Sequence, residues 1–101
     1  MKDQLFQKFS IKNVHFKNRF VMAPMTRNFS QNGVPHPDAA EYYSMRARGG
    51  VGLIITEGVE ISHPSSSGYP GCPNLISDKS KQAWKKIIDS VHKENTKICL
   101  L

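Results

Sequence analysis

The chain is poor in the features that define several protein classes. It has only two cysteines, Cys72 and Cys99, with no CxxC pair, a pattern that suits neither a disulfide framework nor a zinc site. Its apolar runs are a few residues long, far short of the ~20 that a spanning helix needs, so no membrane segment is expected. The start, MKDQLFQKFSIKN, scatters charge and lacks a continuous apolar core, so no secretory signal is read and a cytoplasmic location is expected. No GxGxxG or GxxxxGK[ST] turn is present. The four histidines, His15, His36, His63 and His92, fit no ligand spacing.

What remains is globular. Hydrophobic residues make up 39% and charged residues 22% of 101 residues, which is enough for one domain and too little for two. Fourteen basic residues against eight acidic give a formal charge of +6. The lysines are dispersed, with Lys79, Lys81, Lys85, Lys86 and Lys93 spread along one predicted helix and no interleaved aromatics. That pattern describes a solvated face, and no nucleic-acid partner is expected. Cys99 lies in an apolar run and reads as a buried small hydrophobe, whereas Cys72 is a loop thiol whose reactivity stays open.

Periodicity gives the order of elements. Phe9–Ile11 and Val14–Phe16 read as a hairpin turning at Lys12–Asn13. Phe20–Ala23 is a strand that Pro24 must end, since proline has no N–H for a ladder. Residues 38–48 read as a helix, with Asp38 and Glu41 in its first turn, Arg46 and Arg48 in its last, and Gly49 placed to end it. Ala39, Ala40, Tyr43 and Ala47 share one face, with Tyr42 at its margin. VGLIIT (51–56) is a run without alternation, as in a parallel strand covered on both faces. A loop with Pro64, Gly68, Pro70, Gly71 and Pro73 follows, long enough to suggest a function.

Ser77 then caps a helix from Asp78 to Glu94 that Asn95 ends. Its apolar stripe is Ala83, Trp84, Ile87, Ile88 and Val91, and a third strand begins at Lys97. Strand, helix, strand, helix, strand predicts parallel sheet. Because strand one is followed by APMTRN and not by a glycine-rich turn, a (β/α)₈ barrel is favoured over a doubly wound sheet. The expected fold is α/β, a partial TIM barrel comprising the first two β/α units and the start of strand three, preceded by a hairpin. Burying Trp84, Ile87, Ile88 and Val91 is worth on the order of 6–10 kcal/mol. Three strands floor that stripe only in part, so residues 1–101 are expected to be a piece of a larger domain, able to self-associate through its sheet edges.

Four stretches in this order, KNRFVMAPMTR (17–27), EYYSMRARGGVGLIITEG (41–58), GYPGCPNLIS (68–77) and WKKIIDSVH (84–92), closely resemble the N-terminal part of the Old Yellow Enzyme family. The resemblance implies a TIM-barrel oxidoreductase that uses FMN, takes hydride from NADH or NADPH and reduces a small-molecule substrate, an activated alkene. It implies that Ala23, Pro24 and Met25 run beneath the flavin and that the Thr26 hydroxyl bonds the ring carbonyl beside the hydride-accepting nitrogen. Gly58 would let a backbone N–H approach the ring edge. Tyr69 either lines the substrate side or packs beneath its own loop. Glu57 is read as the partner of an arginine, and Arg27 as pairing with an acid or standing near the pocket.

The proton-donating tyrosine and the His/Asn or His/His substrate pair lie past residue 101 in relatives, so no catalytic residue is expected within the chain. By the resemblance, a flavin-bonding glutamine is expected where this sequence has Leu101, which leaves two readings open, a diverged reading frame or a cut chain with an altered terminal residue. The chain alone is expected to be inactive. The alternative is a non-catalytic binding or assembly piece.

Overall fold

The computed structural model describes residues 2–101. A short helix α1 (Lys2–Phe6) precedes a hairpin of β1 (Phe9–Ile11) and β2 (Val14–Phe16), paired antiparallel with Phe9 opposite Phe16. Sequence reading did not foresee α1, whose five residues are too few for a periodic signal. The hairpin turns at Lys12–Asn13, where Lys12 is the left-handed residue (φ 52°).

Three parallel strands follow in the order β3 (Val21–Met22), β4 (Leu53–Ile55), β5 (Lys97–Cys99), in the register Met22, Ile54, Ile98. The expected strand Phe20–Ala23 narrows to two residues, with the Phe20 carbonyl accepting from the amides of Gly52 and Leu53. Helix α2 (Ala39–Arg48) connects β3 to β4, and α3 (Asp78–His92) connects β4 to β5.

The helices keep their predicted faces. Ser77 Oγ accepts the Ser80 amide at 3.1 Å and starts α3. That helix ends at His92, two residues before Glu94, and the left-handed Asn95 (φ 55°) turns the chain into β5. Helix α2 ends at Arg48 with Gly49 as its C-cap, as expected; Gly49 keeps a helical φ (−67°), and the positive φ of 111° falls on Gly50.

Ala39, Tyr43 and Ala47 of α2, Trp84, Ile87 and Val91 of α3 and Ile54 of β4 form the core. Met22, Ile54 and Ile98 lie on the sheet face that meets the helices, as the two-residue period requires. The opposite face is not covered within this chain, contrary to the double burial expected of VGLIIT. Val21 is 48% exposed, and Leu53 and Ile55 are half-buried. Cys99 falls on that face and is exposed, so its reading as a buried hydrophobe is corrected; both cysteines are free thiols. No helix among the described residues is long and apolar enough to cross a membrane.

Candidate functional site

The C-terminal ends of parallel strands are where chain connections leave the sheet and ligands are received in barrels. Here β4 leaves the ladder in a defined way. The Thr56 amide still donates to the Cys99 carbonyl (3.0 Å), but the Glu57 amide leaves the ladder for the buried Tyr43 hydroxyl of α2 (3.2 Å). The Thr56 hydroxyl donates to the Glu57 carbonyl (2.9 Å) and accepts the Leu101 amide (3.3 Å). With its neighbours committed in this way, the Gly58 N–H has no partner among the described residues.

A cavity of about 230 Å³ opens at this strand end, lined by Thr26, Gly58, Gly68, Tyr69, Cys72 and Leu101 among others. Three of the sequence-predicted residues, Thr26, Gly58 and Tyr69, therefore meet on one surface. The Thr26 hydroxyl, like the Gly58 amide, makes no hydrogen bond to another described residue, and a Cβ at Gly58 would meet nothing within 4 Å. Ala23, Pro24 and Met25 are exposed and do not line the cavity. Tyr69 is 57% exposed, so it is not packed beneath its own loop.

Among several larger hollows, two lie well away from this strand end. One of about 460 Å³ is bordered by Phe29, Val34, His36 and Lys79. The other, about 510 Å³ and lined by Phe6, Phe20, Met22 and Val51, is at the opposite end of the strands. Neither gathers the predicted residues.

The loops that carry the cavity are fastened to each other. Asn28 is left-handed (φ 63°), its side-chain oxygen accepts the Gly71 amide at 2.8 Å, and the Ser30 amide donates to the Gly71 carbonyl at 2.9 Å. The Asn74 amide donates to the Gly33 carbonyl (2.7 Å), which also accepts from Ser80 Oγ of α3 (3.0 Å). Trp84 Nε1 donates to the Asn74 carbonyl (3.1 Å). Sequence reading missed these ties, because reciprocal bonds between distant loops leave no local pattern.

Electrostatics here centre on Glu57, which is 5% exposed. Burial pushes its carboxyl above the usual range, against the opposing pull of the Arg27 amide, the Arg27 charge and the Asn28 amide. The predicted arginine partnership takes an unexpected form: Glu57 Oε1 accepts the backbone N–H of Arg27 at 3.3 Å. The Arg27 guanidinium instead lies 3.7 Å from the centroid of the Tyr42 ring, and Arg46 is equally close to the same ring. Burial also raises the Tyr43 phenol.

A three-stranded parallel α/β sheet with both long helices packed on one face, and polar groups without protein partners at its strand ends, is the arrangement of a β/α-barrel segment. Residues 4–100 match the NADH:flavin oxidoreductase / NADH oxidase family, and the chain belongs to that family. FMN and a nicotinamide nucleotide are the cofactors of the family.

The chain is 41% identical over 88 residues to 12-oxophytodienoate reductase 7 of Oryza sativa subsp. japonica, covering 87% of this chain and 22% of that protein. It superposes on the Old Yellow Enzyme from a Pichia species with a TM-score of 0.87 at 33% identity, over 99% of this chain and 26% of that one. Morphinone reductase in complex with tetrahydroNAD superposes with a TM-score of 0.84 at 33% identity, over 95% and 26%. These solved structures are TIM barrels of the Old Yellow Enzyme type. The chain spans about a quarter of the length of the relatives it matches.

Proposed function

We propose that this chain supplies one wall of the flavin site in an FMN-dependent NAD(P)H oxidoreductase of Old Yellow Enzyme type, built from the first two β/α units of the barrel and the start of strand three. The observation that carries this reading is the pair of unused donors, the Thr26 hydroxyl and the Gly58 amide, on one cavity with Tyr69. The fit is chemical: two free donors and a position where a Cβ meets only open space suit the polar edge of a planar ring.

FMN, when bound, would supply two-electron redox chemistry, carrying hydride from NADH or NADPH to an activated alkene. The chain's own residues bind and orient. The Thr26 hydroxyl would donate to a ring carbonyl and favour negative charge on the reduced ring. The Gly58 amide would donate at the ring edge. Ala23, Pro24 and Met25 present an exposed apolar ledge that a ring can cover, and Tyr69 borders the space left for a small-molecule substrate.

The cavity is below the ~300–1,000 Å³ typical of ligand pockets. FMN binding by the 101-residue chain is therefore expected to be weaker than about 1 μM. The test is FMN titration of the ¹⁵N-labelled chain, with amide shifts expected at Thr26, Gly58, Tyr69 and Cys72. Shifts confined to the hollow beside Phe29 and His36 would overturn the assignment. Activity is tested by exchanging residues 2–101 into the corresponding segment of the rice relative. A yellow protein that oxidises NADPH with an enone is expected, and Thr26→Ala should slow flavin reduction roughly 10–150-fold, the worth of one hydrogen bond to a charged group.

A further inference from the structure

Glu57 does not line the cavity, yet it adjoins one of the two free donors in sequence, and its hydrogen-bond partner adjoins the other. The single bond from the Arg27 amide to Glu57 Oε1 (3.3 Å) thus joins the residue after Thr26 to the residue before Gly58. Glu57 is itself fixed to the core. Its amide donates to the hydroxyl of Tyr43, which is 1% exposed in α2, and its carbonyl accepts the Thr56 hydroxyl.

Arg27 directs its charge to the Tyr42 ring, so no salt bridge to Glu57 within 4.0 Å forms among the described residues. A buried carboxylate without a close ion pair is a costly way to stabilise a fold, and an apolar residue of similar size usually does as well. What an apolar residue cannot do is accept an amide proton from the loop that carries Thr26.

We propose that Glu57 is a positioning residue of the flavin site: by accepting the Arg27 amide, its carboxylate sets where the Thr26 hydroxyl stands relative to the Gly58 amide. The charged and titratable groups that face it are Arg27 and Tyr43, with Tyr42 behind Arg27. Its functional consequence rests on the flavin reading above; its geometric content does not.

The experiment follows backbone amides of the 101-residue chain by NMR, in the wild type, Glu57→Ala and Glu57→Gln, with and without FMN. In Glu57→Ala the Arg27 amide should exchange with solvent about tenfold faster, as expected for one lost hydrogen bond. The Thr26, Gly58 and Tyr69 resonances should move while those of Ile87 and Val91 stay. FMN-induced shifts at Thr26 and Gly58 should need about tenfold more FMN. Glu57→Gln, which keeps an acceptor oxygen, should restore Arg27 protection and lose the carboxyl titration that is expected of the Arg27 amide in the wild type.

The proposal is overturned if Thr26 and Gly58 ignore Glu57→Ala. Should that variant unfold, an Arg27 amide in the wild type that does not follow a carboxyl titration, or that titrates equally in Glu57→Gln, overturns it as well. If FMN shifts nothing in the wild type while Arg27 and Thr26 respond to the substitutions as described, the flavin reading fails and the positioning role stands.

Discussion

Two glycines near the cavity differ in what surrounds them. A Cβ at Gly71 would run into the carbonyl and side-chain oxygens of Asn28, whereas one at Gly58 would enter open space. Gly71→Ala should therefore cost about 1–3 kcal/mol, as overpacking does, and displace the turn that carries Tyr69, which urea unfolding and the Tyr69 amide resonance would report. Gly58→Val should leave stability within about 0.5 kcal/mol, as substitutions away from packed contacts do, but weaken FMN binding. Unchanged FMN-induced shifts in Gly58→Val would count against ring-edge contact there. The place of Gly58 just past β4 was legible in the sequence because the apolar run VGLIIT leads into it. Gly71 read as one more loop glycine, since its constraint is Asn28, 43 positions away.

At the scale of elements, the two long helices and the parallel strands were legible because each carries a periodic stripe or an apolar run. Lys17 was not. It counted in the sequence as one scattered surface charge, yet its Nζ donates to the Glu94 carbonyl at 2.8 Å and reaches the Ala47 carbonyl at 3.5 Å. One ammonium thus serves the carboxyl ends of both helices, where the helix dipoles favour a cation. Lys17→Met keeps the stem and removes the charge. It should cost about 1–2 kcal/mol in urea unfolding, and Lys17→Arg should recover part of that. The loops stayed illegible for a related reason: side chain to backbone bonds such as Asn28 to Gly71 and Trp84 to Asn74 fix them, and no periodic pattern encodes such pairs.

For the molecule as a whole, the order of elements predicted a parallel sheet correctly, but how fully that sheet is covered depends on what packs against it. Runs such as LII look alike whether covered on one face or two. Global stability should also register Glu57. Its carboxyl is raised in the folded state, so between the unfolded and folded values the native chain holds more protons, and stability falls as pH rises through that window. Glu57→Gln should remove this slope and leave the chain more stable than wild type above it, as measured by urea midpoints across the pH range. An unchanged slope would show that other groups set it.

The Trp84 indole, the only tryptophan in the chain, joins the core at one end and donates to the Asn74 carbonyl at the other. The single indole is thereby tied to the loop that borders the cavity. Loosening of that loop should change the polarity at the indole nitrogen while the core around the ring stays packed. Trp84 emission should then serve as an optical gauge that separates opening at the strand ends from unfolding, with no label to attach.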